Sequence, residues 1–325
     1  MAFLCPEVYS SIQEAKKMNI LIIGGSGFIG KQLCIRLCNE GMQVVTVSRS
    51  PMTSLHHNHK HRDLTLDNIH YLKPLVEDAS YIFHFASDTT PGSSKLQPSL
   101  EANNNILPTL RLIELLQNTQ SPPIIYCSSG GAIYNSDYPA PYAEGSPKRA
   151  MSYYGAGKLA AEYFFTAYSQ QTNNTVIVLR PANIYGPGQI PKKQFGIIPT
   201  LFDAIRNDKS VEIWGNGEAI RDYIYIDDFL DLCSLIIAKH QWVKGDLHIY
   251  NAGSGTGNSI IELCNLIEEI TVQKLKKVFK ESRGIDTPSV ILNCDRAKAE
   301  LSWDPKTQLK KGLKDTWQWI NSNGR

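Results

Sequence analysis

Residues 18–50 read MNILIIGGSGFIGKQLCIRLCNEGMQVVTVSRS. The run NILII is short, apolar and rich in β-branched residues, as suits a strand buried on both faces. Gly24, Gly27 and Gly30 follow at once. From Phe28 the apolar residues Ile29, Leu33 and Leu37 recur at helical spacing, Gly41 ends the helix, and VVTV starts a second strand. The stretch is therefore a strand, glycine turn, helix and strand in one unit. Glycine lets the backbone turn sharply and approach a ligand closely, and a helix start offers free N–H groups and partial positive charge. A glycine triplet alone says little; inside this unit it points to the pyrophosphate of a dinucleotide.

Short apolar runs continue to alternate with helical patterns. YIFHFA (81–86), PPIIYCSS (122–129) and TVIVLR (175–180) read as strands, and TLRLIELLQ and KLAAEYFFTAYSQ as helices. That alternation predicts an α/β fold, a doubly wound parallel sheet of the Rossmann type. After Arg180 glycines and prolines become dense in RPANIYGPGQIPKKQFGIIP, and short strands and helices follow in mixed order. The expected division is an N-terminal tail at 1–17, a dinucleotide-binding domain at 18–180, and a smaller C-terminal substrate-binding domain at 181–325 with some segments returning to the sheet.

The totals exclude several classes. With 325 residues, 42% hydrophobic and 20% charged, the chain can bury a large core. A net charge of +2 argues against a dedicated nucleic-acid or membrane-surface binder, and no run reaches the length of a membrane span. Seven cysteines without metal spacing suggest reduced thiols and a cytoplasmic setting. Cys34 and Cys38, four apart on the first helix, read as packing residues. Residues 1–17 lack the pattern of a signal peptide.

Three further stretches carry chemistry. The second strand ends Ser48-Arg49-Ser50 where an acid would hydrogen-bond a ribose 2′-hydroxyl. Serine and arginine suit a 2′-phosphate, which tilts the expectation from NAD to NADP; the alternative is that Arg49 stacks on adenine. LHHNHKHRD carries His56, His57, His59 and His61 and resembles a metal tract, but its spacing matches no helical ligand pair, so it reads as a solvated surface loop with no metal. In AMSYYGAGK (150–158), Tyr154 and Lys158 lie four apart and share a helix face, whereas Tyr153 points elsewhere. A nearby ammonium favours the phenolate and lowers a tyrosine pKa, which makes Tyr154 a candidate base.

GGSGFIG, HRDL (61–64), FHFAS (83–87), NILPT (105–109), CSSGGAIY (127–134), YGAGK (154–158), RPANIYGPGQ (180–189), RDYIYIDD (221–228) and YNAGSG (250–255) fall in one order. In that order the chain resembles the extended short-chain dehydrogenase/reductase superfamily, in its nucleotide-sugar epimerase/dehydratase branch, over about residues 18–320. The resemblance implies that Gly24, Gly27, Phe28, Ile29 and Gly30 form the turn on the pyrophosphate, with Asp63 and Leu64 at the adenine. It implies Ala86 and Ser87 along the cofactor and Asn105 bracing the strands beneath. It implies Tyr154 as catalytic tyrosine and Lys158 as its partner, which also bonds the nicotinamide ribose.

One position departs from the family pattern. The family's serine or threonine four residues before Tyr134 is here Gly130. Ser129 or Ser128 is the candidate replacement, water the alternative. The Asp-Glu pair that sugar dehydratases carry next is here Gly131 and Ala132, against a dehydratase. For the substrate, the resemblance implies a nucleotide diphosphate sugar met by Asn183, Arg221 and Arg283; each arginine could instead serve a surface ion pair with Asp222 or Asp286. Trp214 is a candidate for the base, with core packing the alternative. The expected activity is epimerisation at C4 of a UDP-sugar through a 4-keto intermediate by an NAD(P)-dependent homodimer. The alternatives are an NADPH-dependent reductase of a keto nucleotide sugar and a non-catalytic dinucleotide sensor.

Overall fold

The structure is a computed structural model that describes residues 18–119, 121–191, 196–239, 241–282 and 287–323. The 1–17 tail and Arg283 lie outside the described residues.

The chain begins with β1 (Asn19–Ile23), α1 (Phe28–Asn39), β2 (Gln43–Ser48) and β3 (His59–Asp63). It continues through α2 (Lys73–Asp78), β4 (Tyr81–His84), α3 (Pro98–Glu101), α4 (Leu107–Gln117), β5 (Ile124–Cys127), α5 (Gly130–Ile133), α6 (Tyr153–Thr172) and β6 (Val176–Pro181). With β10 (Leu247–Ala252) these strands make one seven-stranded sheet in the order β10-β6-β5-β4-β1-β2-β3, paired in parallel throughout. Strand order reverses between β1 and β4. A crevice opens at such a point beyond the strands' carboxyl ends, where open α/β sheets take ligands.

The period of two along β1 explains the layers. Ile20 and Ile22 join the core on one face with Leu33 and Leu37 of α1; Leu21 and Ile23 join the core on the other with Leu112 of α4 and Phe165 of α6. Each of these side chains is almost fully buried, and burying one Leu or Ile contributes about 1.5–3 kcal/mol. Cys34 and Cys38 are buried in the first of these cores, as packing residues would be.

β7 (Asn183–Tyr185), α7 (Ile197–Arg206), β8 (Ser210–Trp214), β9 (Ile220–Tyr225) and α8 (Ile226–Ala238) lie between β6 and β10. β11 (Gly257–Ser259), α9 (Ile260–Thr271), β12 (Lys276–Lys280), β13 (Ser289–Val290), α10 (Asp295–Leu301) and α11 (Leu309–Asn323) follow. β9 pairs with β7, β11 and β13, and β8 pairs with β12. The buried carboxylate of Asp222 in β9 ties this smaller sheet to the loop after β10. It accepts from the Ser254 amide at 2.8 Å, the Ser254 hydroxyl at 2.7 Å, and the amides of Gly255 and Leu292 at 3.2 Å.

The histidine tract departs from the expected loop. His59 and His61 belong to β3, at the sheet edge beside β2. His59 is 4% exposed, so the tract is half core and not a solvated loop.

Candidate active site

At the carboxyl end of β1 the Gly24 amide donates to the carbonyl of Val47 at 2.8 Å, and Gly27 donates to Gly24 at 3.1 Å. Gly24 has φ +98°, and a Cβ there would stand 2.5 Å from the amide of Ala86. A Cβ on Gly30 would stand 2.4 Å from the Gly24 carbonyl. The turn can therefore be built only from glycine at these two places. Gly27 caps α1 without a side chain, and the first turn, which includes Phe28 and Ile29, holds no acid. Its leading amides are open to an anion, so the cradle fits a pyrophosphate.

Ala86 and Ser87 follow β4, with Ala86 packed on that turn. Ser48 and Asp63 are register partners at the ends of β2 and β3, and the Leu64 amide donates to the Ser48 carbonyl at 3.1 Å. Arg49 pairs with Asp88, which also accepts from Asn104 at 2.7 Å. Asn105 accepts from the Asp88 amide at 2.8 Å and donates to Thr89 at 2.6 Å and to Glu101 at 3.0 Å. It thus braces the loop after β4 rather than the strands themselves.

The opposite wall is α6. Ser152 caps it, accepting from the Gly155 amide at 3.1 Å. Tyr153 is 46% exposed, whereas Tyr154 turns inward. The Lys158 ammonium lies 5.7 Å from the centre of the Tyr154 ring and donates to the carbonyl of Cys127, at the end of β5, at 2.8 Å. Burial, the largest influence on the Tyr154 phenol, raises its pKa, and the nearby Ser129 hydroxyl, just past β5, pulls the other way. Together with the Cys127 thiol, burial leaves the phenol above its ordinary value. The expected lowering of the Tyr154 pKa is not what the site gives: burial raises the phenol instead. Burial also lowers Lys158, against the pull of Cys127, Glu101 and Glu162.

The Ser128 hydroxyl is committed elsewhere. It donates to Glu162, which forms a bidentate pair with Arg180 at 2.6 and 3.0 Å, both side chains buried. A Cβ on Gly130 would stand 2.5 Å from Leu292 Cδ1 and 3.0 Å from the Arg180 carbonyl. A side chain at residue 130 would thus run into Leu292 and the Arg180 carbonyl, and the hydroxyl near Tyr154 belongs to Ser129.

Asn183 in β7 donates to the Asp222 carbonyl at 3.0 Å. Arg221 in β9 donates to the carbonyls of Ile220 at 2.8 Å and Thr287 at 2.7 Å. Trp214 ends β8 and is 41% exposed, so it is not a core residue. Glu101, Thr89, Glu162 and Arg180 were not among the expected site residues. Glu162 carries a sequence signal, standing four residues after Lys158 on the same helix face, and Arg180 opens the quoted RPANIYGPGQ run.

The model of the NAD dependent epimerase/dehydratase family matches residues 20–253. Escherichia coli dTDP-4-dehydro-6-deoxyglucose reductase is 30% identical over 92% of this chain and 96% of its own. The structure of Thermotoga maritima UDP-glucose 4-epimerase with UDP-glucose superposes with a TM-score of 0.87 at 30% identity, covering 95% of this chain and all of that one (100%). MoeE5, solved with UDP-glucuronic acid and NAD, has a TM-score of 0.86 at 26% identity over 94% of this chain and 99% of its own.

Proposed function

The chain belongs to the NAD dependent epimerase/dehydratase family, and from that premise we propose that it is a UDP-sugar 4-epimerase working by way of a 4-keto sugar. The observation that carries this reading is the convergence of Ser129, Tyr154 and Lys158 at the end of β5 beside the glycine turn's crevice. Tyr154 takes and returns the proton of the sugar hydroxyl. Ser129 hydrogen-bonds the same oxygen in the place of the hydroxyl missing at Gly130. Lys158, held by the Cys127 carbonyl, keeps two further N–H groups for the nicotinamide ribose. A bound nicotinamide supplies the reversible two-electron acceptor. Gly24, Gly27 and Gly30, with the amides of Phe28 and Ile29, take the pyrophosphate; Ala86 and Ser87 line the far side; and Asp63 and Leu64 face the adenine. Asn183, Arg221, Arg283 and Trp214 are assigned to the nucleotide sugar.

NAD is the cofactor we favour. Arg49 already engages the Asp88 carboxylate, which competes with a 2′-phosphate for its donors. MoeE5 is solved with NAD. The lean toward NADP from Ser48-Arg49 gains no support from either. A second reading, an NADPH-dependent reductase of a keto nucleotide sugar, is favoured by the E. coli reductase. No described helix is long and apolar enough to cross a membrane, and we place the enzyme in the cytoplasm. α4 and α6 pack together and expose Leu107, Tyr163 and Phe164, a face suited to a second copy. Light scattering on the eluting protein would return twice the 36.3 kDa chain mass for a homodimer; the single mass would overturn it.

Two measurements test the main reading. Mass spectrometry of the dinucleotide released from purified protein should find NAD. Purified protein should interconvert UDP-glucose and UDP-galactose without added reductant. An inert preparation that instead consumes NADPH with a keto nucleotide sugar establishes the reductase.

A further inference from the structure

Beneath the expected adenine site runs a chain of hydrogen bonds whose direction is set from both ends. The Leu55 amide donates to His59 Nδ1 at 3.1 Å. His59 Nδ1 is therefore bare, and the ring's proton sits on Nε2, which faces the Thr46 hydroxyl at 2.7 Å. Thr46, fully buried, accepts that bond and passes its own proton to His61 Nδ1, also at 2.7 Å. With the bond in that direction, His61 carries its proton on Nε2. From the other end the same answer follows. Nε2 of His61 meets the Asp63 carboxylate at 3.0 Å and the Ser50 carbonyl at 3.3 Å, both acceptors. Ser48, at 3.4 Å, already donates to Ser50 and can only accept.

The surroundings of the chain run from core to solvent. Burial, then the neighbouring His61, lowers the pKa of His59. The His61 side chain is 7% exposed and that of Asp63 61%, so the relay runs from the core to an open carboxylate. A Cβ on Gly25 would stand 2.3 Å from Thr46 Cβ, so the same threonine floors the glycine turn. One buried hydroxyl thus connects the turn, the loop after β2 and the acid at the end of β3.

We propose that His59, Thr46 and His61 form a neutral imidazole relay that orients the Asp63 carboxylate to receive donors from the adenine half of the dinucleotide. The three are positioning residues. With one Asp63 oxygen set 3.0 Å from His61 Nε2, the other is presented as an acceptor, which suits the amino group of adenine or the ribose hydroxyls. This deepens the dinucleotide reading and rests on Asp63 facing the adenosine.

The test uses the full chain and AMP as probe. Nitrogen-15 NMR of labelled histidines should show His59 and His61 neutral with the proton on Nε2. Thr46→Val should leave the fold intact and release His61 into a mixture of tautomers. By calorimetry, His61→Leu should weaken AMP binding about tenfold, the scale of one hydrogen bond to a charged group. His61→Gln, which keeps a donor near the Nε2 position, should recover most of it. Asp63→Ala separates the two claims. If it leaves AMP affinity unchanged, Asp63 does not face the adenosine, and the proposal falls with that reading. If Asp63→Ala weakens AMP while His61→Leu does not, the adenine reading stands and the relay is overturned. A charged His61, or Nδ1–H tautomers in the parent protein, overturns it without any variant.

Discussion

Tyr153 stands 46% exposed while Tyr154, one residue on, turns toward Ser129 and Lys158. Tyr154→Phe keeps the ring's packing and removes the proton carrier, so turnover should vanish while dinucleotide still binds. Tyr153→Phe should run near the parent rate; equal losses in steady-state assays would refute the assignment. Ser129→Ala should slow turnover by about 10–1000-fold, the scale of one positioned polar group. Ser128→Ala should act on stability more than on rate, because Ser128 serves the buried Glu162. Restoring a hydroxyl by Gly130→Ser should not rescue Ser129→Ala, since its Cβ meets Leu292 and the Arg180 carbonyl. A rescued initial rate in the double mutant would show that residue 130 reaches the pocket after all. Tyr154 and Lys158 were legible from a spacing of four. The rise of the Tyr154 pKa was not, because burial is a property of the assembled walls and leaves no mark in a local pattern.

A buried ion pair ties α6 to β6. Glu162 is 5% exposed and Arg180 1%, and Arg180 also donates to the Tyr134 hydroxyl at 3.1 Å and the Glu144 carbonyl at 2.8 Å. Removing one partner leaves the other buried and uncompensated. Glu162→Ala should therefore cost about 3–5 kcal/mol, read from the urea midpoint. A loss below about 1 kcal/mol would mean water replaces the carboxylate. The elements themselves differ in how readable they were. β1, β4, β5 and β6 sit inside a parallel sheet and are covered on both faces, so they announce themselves as apolar runs. β3 is an edge strand whose sequence is HKHRD, and only its pairing with β2 makes it extended. β10 closes the other edge from far along the chain; its place beside β6 is a fact of topology that periodicity cannot carry.

Titration couples the stability of the molecule to a buried imidazole. His84, at the end of β4, is 2% exposed, and its Nε2 lies 3.1 Å from the Thr109 hydroxyl. Thr109 donates its own proton to the Asn105 carbonyl at 2.7 Å, so it accepts from His84 and Nε2 carries the ring proton. Among the described residues nothing bonds Nδ1. Burial, then the charge of Lys158, pushes the His84 pKa down to about 3. In the unfolded chain an imidazole titrates near ~6.5. Between those values the unfolded chain binds a proton that the folded one refuses, so stability rises with pH and is lost as the pH falls. The buried tyrosines act at the other limb. Burial raises Tyr126 and Tyr185, so above pH ~10 the unfolded chain ionises while the folded one stays protonated, and stability falls again. The urea midpoint should therefore fall between pH 6 and 4. His84→Gln keeps a donor for Thr109 and cannot take up a proton, so its acid limb should be shallower while its alkaline limb is unchanged. Parallel acid limbs in the two proteins would show that His84 is protonated in the fold and that other groups set the acid sensitivity.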